Sequence, residues 1–117
     1  MTTSKAYERG DVVYVPFLFV DKSAAKNRPA VVISSAAYHE SRNEVIIAGI
    51  TSNLARTSFV GQSMIHHWRD CGLSKPSVVS GIIQTLRPSF VGRRVGALSI
   101  DDLDSLGEAL RDSLGLR

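Results

Sequence analysis

The sequence predicts a small, mainly β domain that ends in a helix. Three observations carry that prediction. Runs of strand length rich in Val and Ile recur along the chain, polar turns separate them, and apolar spacing becomes helical only near the C-terminus. At 117 residues and 44% hydrophobic, the chain has the length of one domain, residues 1–117, and can bury a core without disulfides.

The first run, Asp11 to Phe19, contains Pro16, which places the strand at an edge or interrupts it there. The second, Pro29 to Ser34, and the third, Glu44 to Thr51, are apolar without alternation, as in strands buried on two faces. A fourth lies around Phe59 to His66, a fifth spans Ser77 to Leu86, and a short sixth covers Arg94 to Leu98. About six short strands with turn punctuation fit a small barrel. From Leu103 the apolar positions are Leu103, Leu106, Leu110 and Leu114, a stripe at three- and four-residue spacing. Ser99 with Asp102 reads as a capping box, so the helix is expected over Ile100 to Ser113.

Bulk properties exclude several classes. The N-terminus is polar, and no window is long and apolar enough to span a bilayer. Cys71 is the one cysteine, so no internal disulfide forms, and a reducing, cytoplasmic setting is expected. The net charge of +3 leans toward an anionic partner. Placement sharpens this: Lys22, Lys26 and Arg28 cluster in one segment and Arg87, Arg93 and Arg94 in another, while Asp101, Asp102, Asp104 and Glu108 gather near the end. A basic face with a segregated acidic helix is compatible with nucleic-acid binding, and equally with an ordinary solvated surface.

Two segments collect groups suited to phosphate chemistry. Val20 to Arg28 leads into the second strand, so Arg28 sits at the root of a core strand where its guanidinium can be aimed. A planar fork that keeps its proton suits a phosphate oxygen and, better, the extra charge of a transition state. A solvated arginine, or one paired with Asp21 or Glu44, explains the same residue. Thr51, Ser52 and Asn53 end the third strand with two hydroxyls and an amide; they could donate to a phosphate or simply cap a turn. His39 lies in a polar stretch. His66 and His67 are adjacent, so on a strand they would face opposite sides, and with Trp68 they form either a base-stacking group or a strand end. No His, Cys, Asp or Glu set has metal-ligand spacing, and no Gly-rich phosphate loop is present, so neither metal nor cofactor is expected.

The ordered segments Arg9–Phe17, Lys26–Ser34, Ile47–Ser52, Gly72–Val79 and Arg94–Ser99 together resemble the PemK/MazF-like toxins of bacterial toxin–antitoxin systems. The resemblance runs from about Arg9 to Leu116. It implies an SH3-like barrel with a C-terminal helix, a homodimer, and metal-independent, sequence-specific cleavage of single-stranded RNA, neutralised by an antitoxin protein. By motif, it places the catalytic arginine on Arg28 and its hydroxyl partner on Thr51. Ser52 lies beside them, and Lys22, Lys26, Asn53 and Arg87 are candidate RNA contacts. One stretch departs from the family. Where many members carry an acidic-Gln-Ile-Arg-Thr motif, Ser80 to Thr85 reads Ser-Gly-Ile-Ile-Gln-Thr and offers no carboxylate. Either Arg28 and Thr51 suffice with a different helper, Arg87 or a histidine, or the chain is a catalytically weak or inactive member that binds RNA or antitoxin, which is the alternative expectation. The gyrase-poisoning CcdB family shares the barrel, but its terminal Trp-containing motif has no counterpart in Gly115-Leu116-Arg117.

Overall fold

Residues 7–17, 26–56 and 59–116 are described by the structure, a computed structural model. Six strands form one antiparallel sheet: β1 Asp11–Phe17, β2 Lys26–Val32, β3 Val45–Thr51, β4 Ser63–Ile65, β5 Ser77–Leu86 and β6 Arg94–Ala97. Their order across the sheet is β4-β5-β3-β2-β1-β6. Two α-helices complete the described fold, α1 Ala36–Arg42 and α2 Ile100–Leu114. None of the described helices is long and apolar enough to cross a membrane.

The unbroken apolar runs in β2 and β3 have their reason in two-sided burial. On one face Val12, Val31, Ala48, Ile50 and Val79 pack with Leu106 of α2, and Leu103 and Leu110 extend that contact. On the other, Val13, Val15, Ala30, Val32, Val45 and Ile47 form a second cluster with Tyr7 and Val91. Alternate residues thus serve opposite cores, as the pleat requires. The expected small barrel takes the form of a curled sheet. Its outer strands, β4 and β6, are brought together by a turn rather than by pairing: Cys71 and Gly72 lie against Gly96 and Val95 of β6. A β-carbon on Gly72 or Gly96 would collide with the carbonyl of Val95 or Cys71.

Several expectations need adjusting. β2 begins at Lys26, three residues before Pro29, because Val15, Pro16 and Phe17 pair with Arg28, Asn27 and Lys26. Arg28 is therefore inside a strand rather than at its root. Pro16 neither breaks β1 nor sits on an outer strand of the sheet. Tyr14 bonds Gly92 and Arg93 on the β6 side, at 2.7 and 3.1 Å. Two residues on, Pro16 turns its nitrogen to that same side past the end of β6, so its missing N–H costs no ladder bond. The stretch around Tyr38 and His39 is helical rather than a polar loop: Ser35 accepts the Tyr38 amide at 3.1 Å, and Asn43 ends α1 with φ 53°. His39 spans Ser34 Oγ and the Tyr7 carbonyl.

α2 runs from Ile100 to Leu114, one residue beyond the expected end. Half of the capping box is present: Ser99 Oγ accepts the Asp102 amide at 3.1 Å. The Asp102 carboxylate does not return the bond to Ser99. Buried to 1% exposure, it accepts the backbone amides of His66 and His67 at 3.0 and 2.9 Å. This ties the end of β4 to the start of α2.

Candidate active site

Strand register decides which of the candidate residues meet. β2 and β3 pair Ala30 with Gly49, Val31 with Ala48 and Val32 with Ile47. Continued two residues, that antiparallel register sets Arg28 opposite Thr51. Cross-strand partners point to the same face, with Cα atoms about 4.5–5.5 Å apart. Val15 is opposite Arg28, Val78 opposite Thr51, and Met64 opposite Val78. One row across five strands therefore reads Met64, Val78, Thr51, Arg28, Val15. Its middle two members are polar and half-buried, between the buried Val78 and Val15. Desolvated walls on both sides strengthen any charge interaction made between them.

Each polar group is held by its local backbone. Arg28 has its Nε withdrawn from solvent on β2. Thr51 Oγ1 accepts the Asn53 amide at 3.1 Å, and Asn53 Oδ1 accepts the Ala55 amide at 3.1 Å. The turn-capping role is thus real, yet it uses a lone pair of the hydroxyl and leaves its proton to donate. Ser52 and Asn53 are exposed just beyond. Lys26 is the first residue of β2, and Lys22 lies outside the described residues.

Arg87 is not part of this group. It follows β5, whose Leu86 is opposite Val45, whereas Thr51 is at the far end of β3. Six strand residues separate the two levels, roughly 20 Å along the strand. Arg87 instead adds to the positive field around Glu44. There Arg42 donates to Glu44 at 2.9 Å and, through that bond, holds its carboxyl below the usual range. Glu44 is thereby removed as a partner for Arg28; Asp21, the other one considered, lies outside the described residues. Arg94 is also spoken for, with its Nε 3.0 Å from the buried Asp11 carboxylate. Of the histidines, His39 packs inside the far end of the molecule, and His66 and His67 are exposed in the turn after β4 rather than on a strand.

The unusual fifth strand has a backbone explanation. Between the Ala48–Ile83 and Ile50–Val79 pairs, three residues of β5 face one of β3. Gly81 is in this bulge at φ 86°, and a β-carbon on it would stand 3.0 Å from the Gly61 carbonyl. Ser80 Oγ braces the bulge by accepting the Ile82 amide at 3.2 Å. A carboxylate has no room at position 81. Sequence reading missed the apolar wall made by Met64 and Val78, because its signal is register across strands far apart in the chain. It also missed Arg69, whose guanidinium lies 4.6 Å over the Trp68 ring. Adjacency of the two in sequence was the available cue.

A family profile described as PemK-like, MazF-like toxin of type II toxin-antitoxin system matches residues 8–114. No curated protein sequence matches the chain. Among solved structures, a MazE–MazF complex from Deinococcus radiodurans superposes with TM-score 0.74 at 20% identity, covering 97% of this chain and 100% of that one. The Mycobacterium tuberculosis toxin MazF-mt6 gives 0.72 at 24% identity over 93% and 99% of the two chains. An endoribonuclease from a mycobacterial species gives 0.72 at 20% over 96% and 94%. At these identities the likeness establishes a shared fold.

Proposed function

The chain belongs to the PemK-like, MazF-like toxins of type II toxin–antitoxin systems, and from that premise we propose that it is a sequence-specific endoribonuclease that cuts single-stranded RNA without a metal ion. The observation that supports this reading is the β2–β3 register, which, continued two residues beyond the Ala30–Gly49 pair, sets Arg28 opposite Thr51 on one face. In the reaction, the ribose 2′-hydroxyl attacks the adjacent phosphorus. The O2′–P bond forms, the P–O5′ bond breaks, and the products are a cyclic phosphate and a 5′-hydroxyl. Charge accumulates on the non-bridging oxygens as the attack proceeds. Arg28 offsets it with a fork that stays protonated. Thr51 donates its hydroxyl proton to the same phosphate and holds it in line. Ser52, Asn53 and Lys26 border that position and bind the flanking backbone, with Lys22 a further candidate from the β1–β2 connection.

The protein works as a homodimer in the cytoplasm, where its free Cys71 stays reduced, and its partner is an antitoxin protein. An acidic antitoxin segment occupies the RNA groove by presenting carboxylates in place of phosphates. A peptide that inhibits without competing with RNA would contradict this.

A mixed-sequence RNA incubated with the purified protein in EDTA is the test. Discrete cuts are expected, and Arg28→Ala should slow them by about 10²–10³. The bulged β5, with no carboxylate at Gly81, favours one second reading: a member that binds RNA without cutting it. Retention of RNA with no cuts in any sequence context would replace the first reading by the second.

A further inference from the structure

The acidic helix α2 has no role in the proposed RNA site, and one of its faces lines a cavity of about 340 Å³. Ser105, Glu108, Ala109 and Asp112 are three and four residues apart on α2 and form one wall. The turn into β4, from Phe59 to Ser63, forms the other. Both walls belong to one chain, and a contact at each end fixes their separation. At one end the Asp102 carboxylate accepts the His66 and His67 amides at 3.0 and 2.9 Å. At the other, Ser113 Cβ is 3.1 Å from the place where Gly61 would carry a β-carbon. The volume is at the small end of ligand sites, about 300–1,000 Å³.

The lining is rich in acceptors and short of donors. Gln62 Oε1 and Ser63 Oγ are withdrawn from bulk solvent, and neither has a hydrogen-bond partner among the described residues. Such atoms are rare, because leaving a buried acceptor unmatched is costly. Glu108 and Asp112 are exposed and one helical turn apart, so their charges repel. Among the described residues neither is neutralised; the ion pairs there are Arg42–Glu44 and Arg94–Asp11. Phe59 and Val60, 51% and 76% exposed, add an apolar strip. A ligand that answers all three features carries positive charge, several N–H donors and an apolar stem, as an alkyl ammonium does. About 6 Å of helix axis separates Glu108 from Asp112, a span that four methylenes between two ammonium groups cover.

We infer that this cavity binds a small aliphatic polyamine, its ammonium groups held by Glu108, Asp112 and the two unmatched acceptors and its methylenes laid against Phe59 and Val60. The inference does not rest on cleavage, because none of these groups belongs to the Arg28–Thr51 row.

The test is isothermal titration calorimetry of the full chain, free of RNA, with putrescine. Butylamine, which has one ammonium like a lysine side chain, and butanediol, which has none, are titrated alongside. Putrescine should saturate one site per chain. Butylamine should bind about fivefold more weakly, the upper worth of an exposed ion pair, and butanediol should give no saturable heat. Glu108→Gln and Asp112→Asn should each weaken putrescine by about the same factor, with circular dichroism checking the fold. Asp104→Asn, a carboxylate outside the lining, should leave it unchanged. Heats that never saturate, butylamine bound as tightly as putrescine, wild-type affinity in both helix variants or an equal loss in Asp104→Asn would each overturn the proposal. So would putrescine binding only while light scattering shows the protein losing mass, which would assign the cavity to a contact between copies of this chain.

Discussion

Arg28 and Thr51 serve each other only through the strands that carry them. Neither residue type is rare, and each has an ordinary explanation when taken alone. The β2–β3 register, continued beyond the Ala30–Gly49 pair, sets them opposite each other, with the buried Val15 and Val78 on either side. Cys71 shows the opposite case, a reactive residue type made inert by placement. Burial first, then the negative charge of Asp102, push its thiol pKa up. The thiol therefore stays protonated through neutral pH and should resist alkylation until the protein unfolds. The sign of the linkage follows. The folded pKa is raised, so the associated stability is full below the unfolded thiol's value, about 8.5, and is lost as pH climbs toward the folded one. Urea midpoints of wild type and Cys71→Ala should therefore diverge less at pH 9.5 than at pH 7, both values chosen about a unit or more to either side of that reference. A gap that grows with pH would contradict this.

At the scale of elements, Asp102 joins α2 to the turn that follows β4. One buried carboxylate accepts two backbone amides there, and no other described side chain is bonded to them. Asp102→Ala leaves both amides unpaired and should cost about 2–4 kcal/mol, lowering the melting temperature by on the order of 10 °C. An unchanged melting curve would remove the carboxylate from this role. The elements also show where sequence is informative. The strands of the central sheet were legible because their Val and Ile runs answer to burial on two faces, and the α2 stripe because its four leucines repeat at helical spacing. α1 was not. Its seven residues bury none of their side chains fully, and a helix that short carries no periodic signal. Motif order is what nominated Arg28 and Thr51. Their facing geometry was not legible, since it depends on where β2 starts, and that boundary fell three residues before Pro29. Arg87 was misplaced for a related reason: clustering with Arg93 and Arg94 in sequence carries no information about which end of a ten-residue strand the cluster occupies.

For the whole molecule, one curled sheet presents two kinds of surface. The face of Arg28 and Thr51 is the one proposed to take RNA, and the opposite face carries an apolar groove beside α2. A small barrel with exposed outer strands gains stability by pairing with a second copy. Light scattering at micromolar concentration should therefore give two chain masses, one chain being 12.7 kDa; a single mass would refute the dimer. Cleavage itself is tested most directly by a double-mutant cycle on Arg28→Ala and Thr51→Val, read as single-turnover cutting of one RNA. If both side chains act on one phosphate, the double variant should be scarcely slower than the worse single variant. Losses that simply multiply, or a Thr51→Val protein that cuts at the wild-type rate, would contradict a shared phosphate.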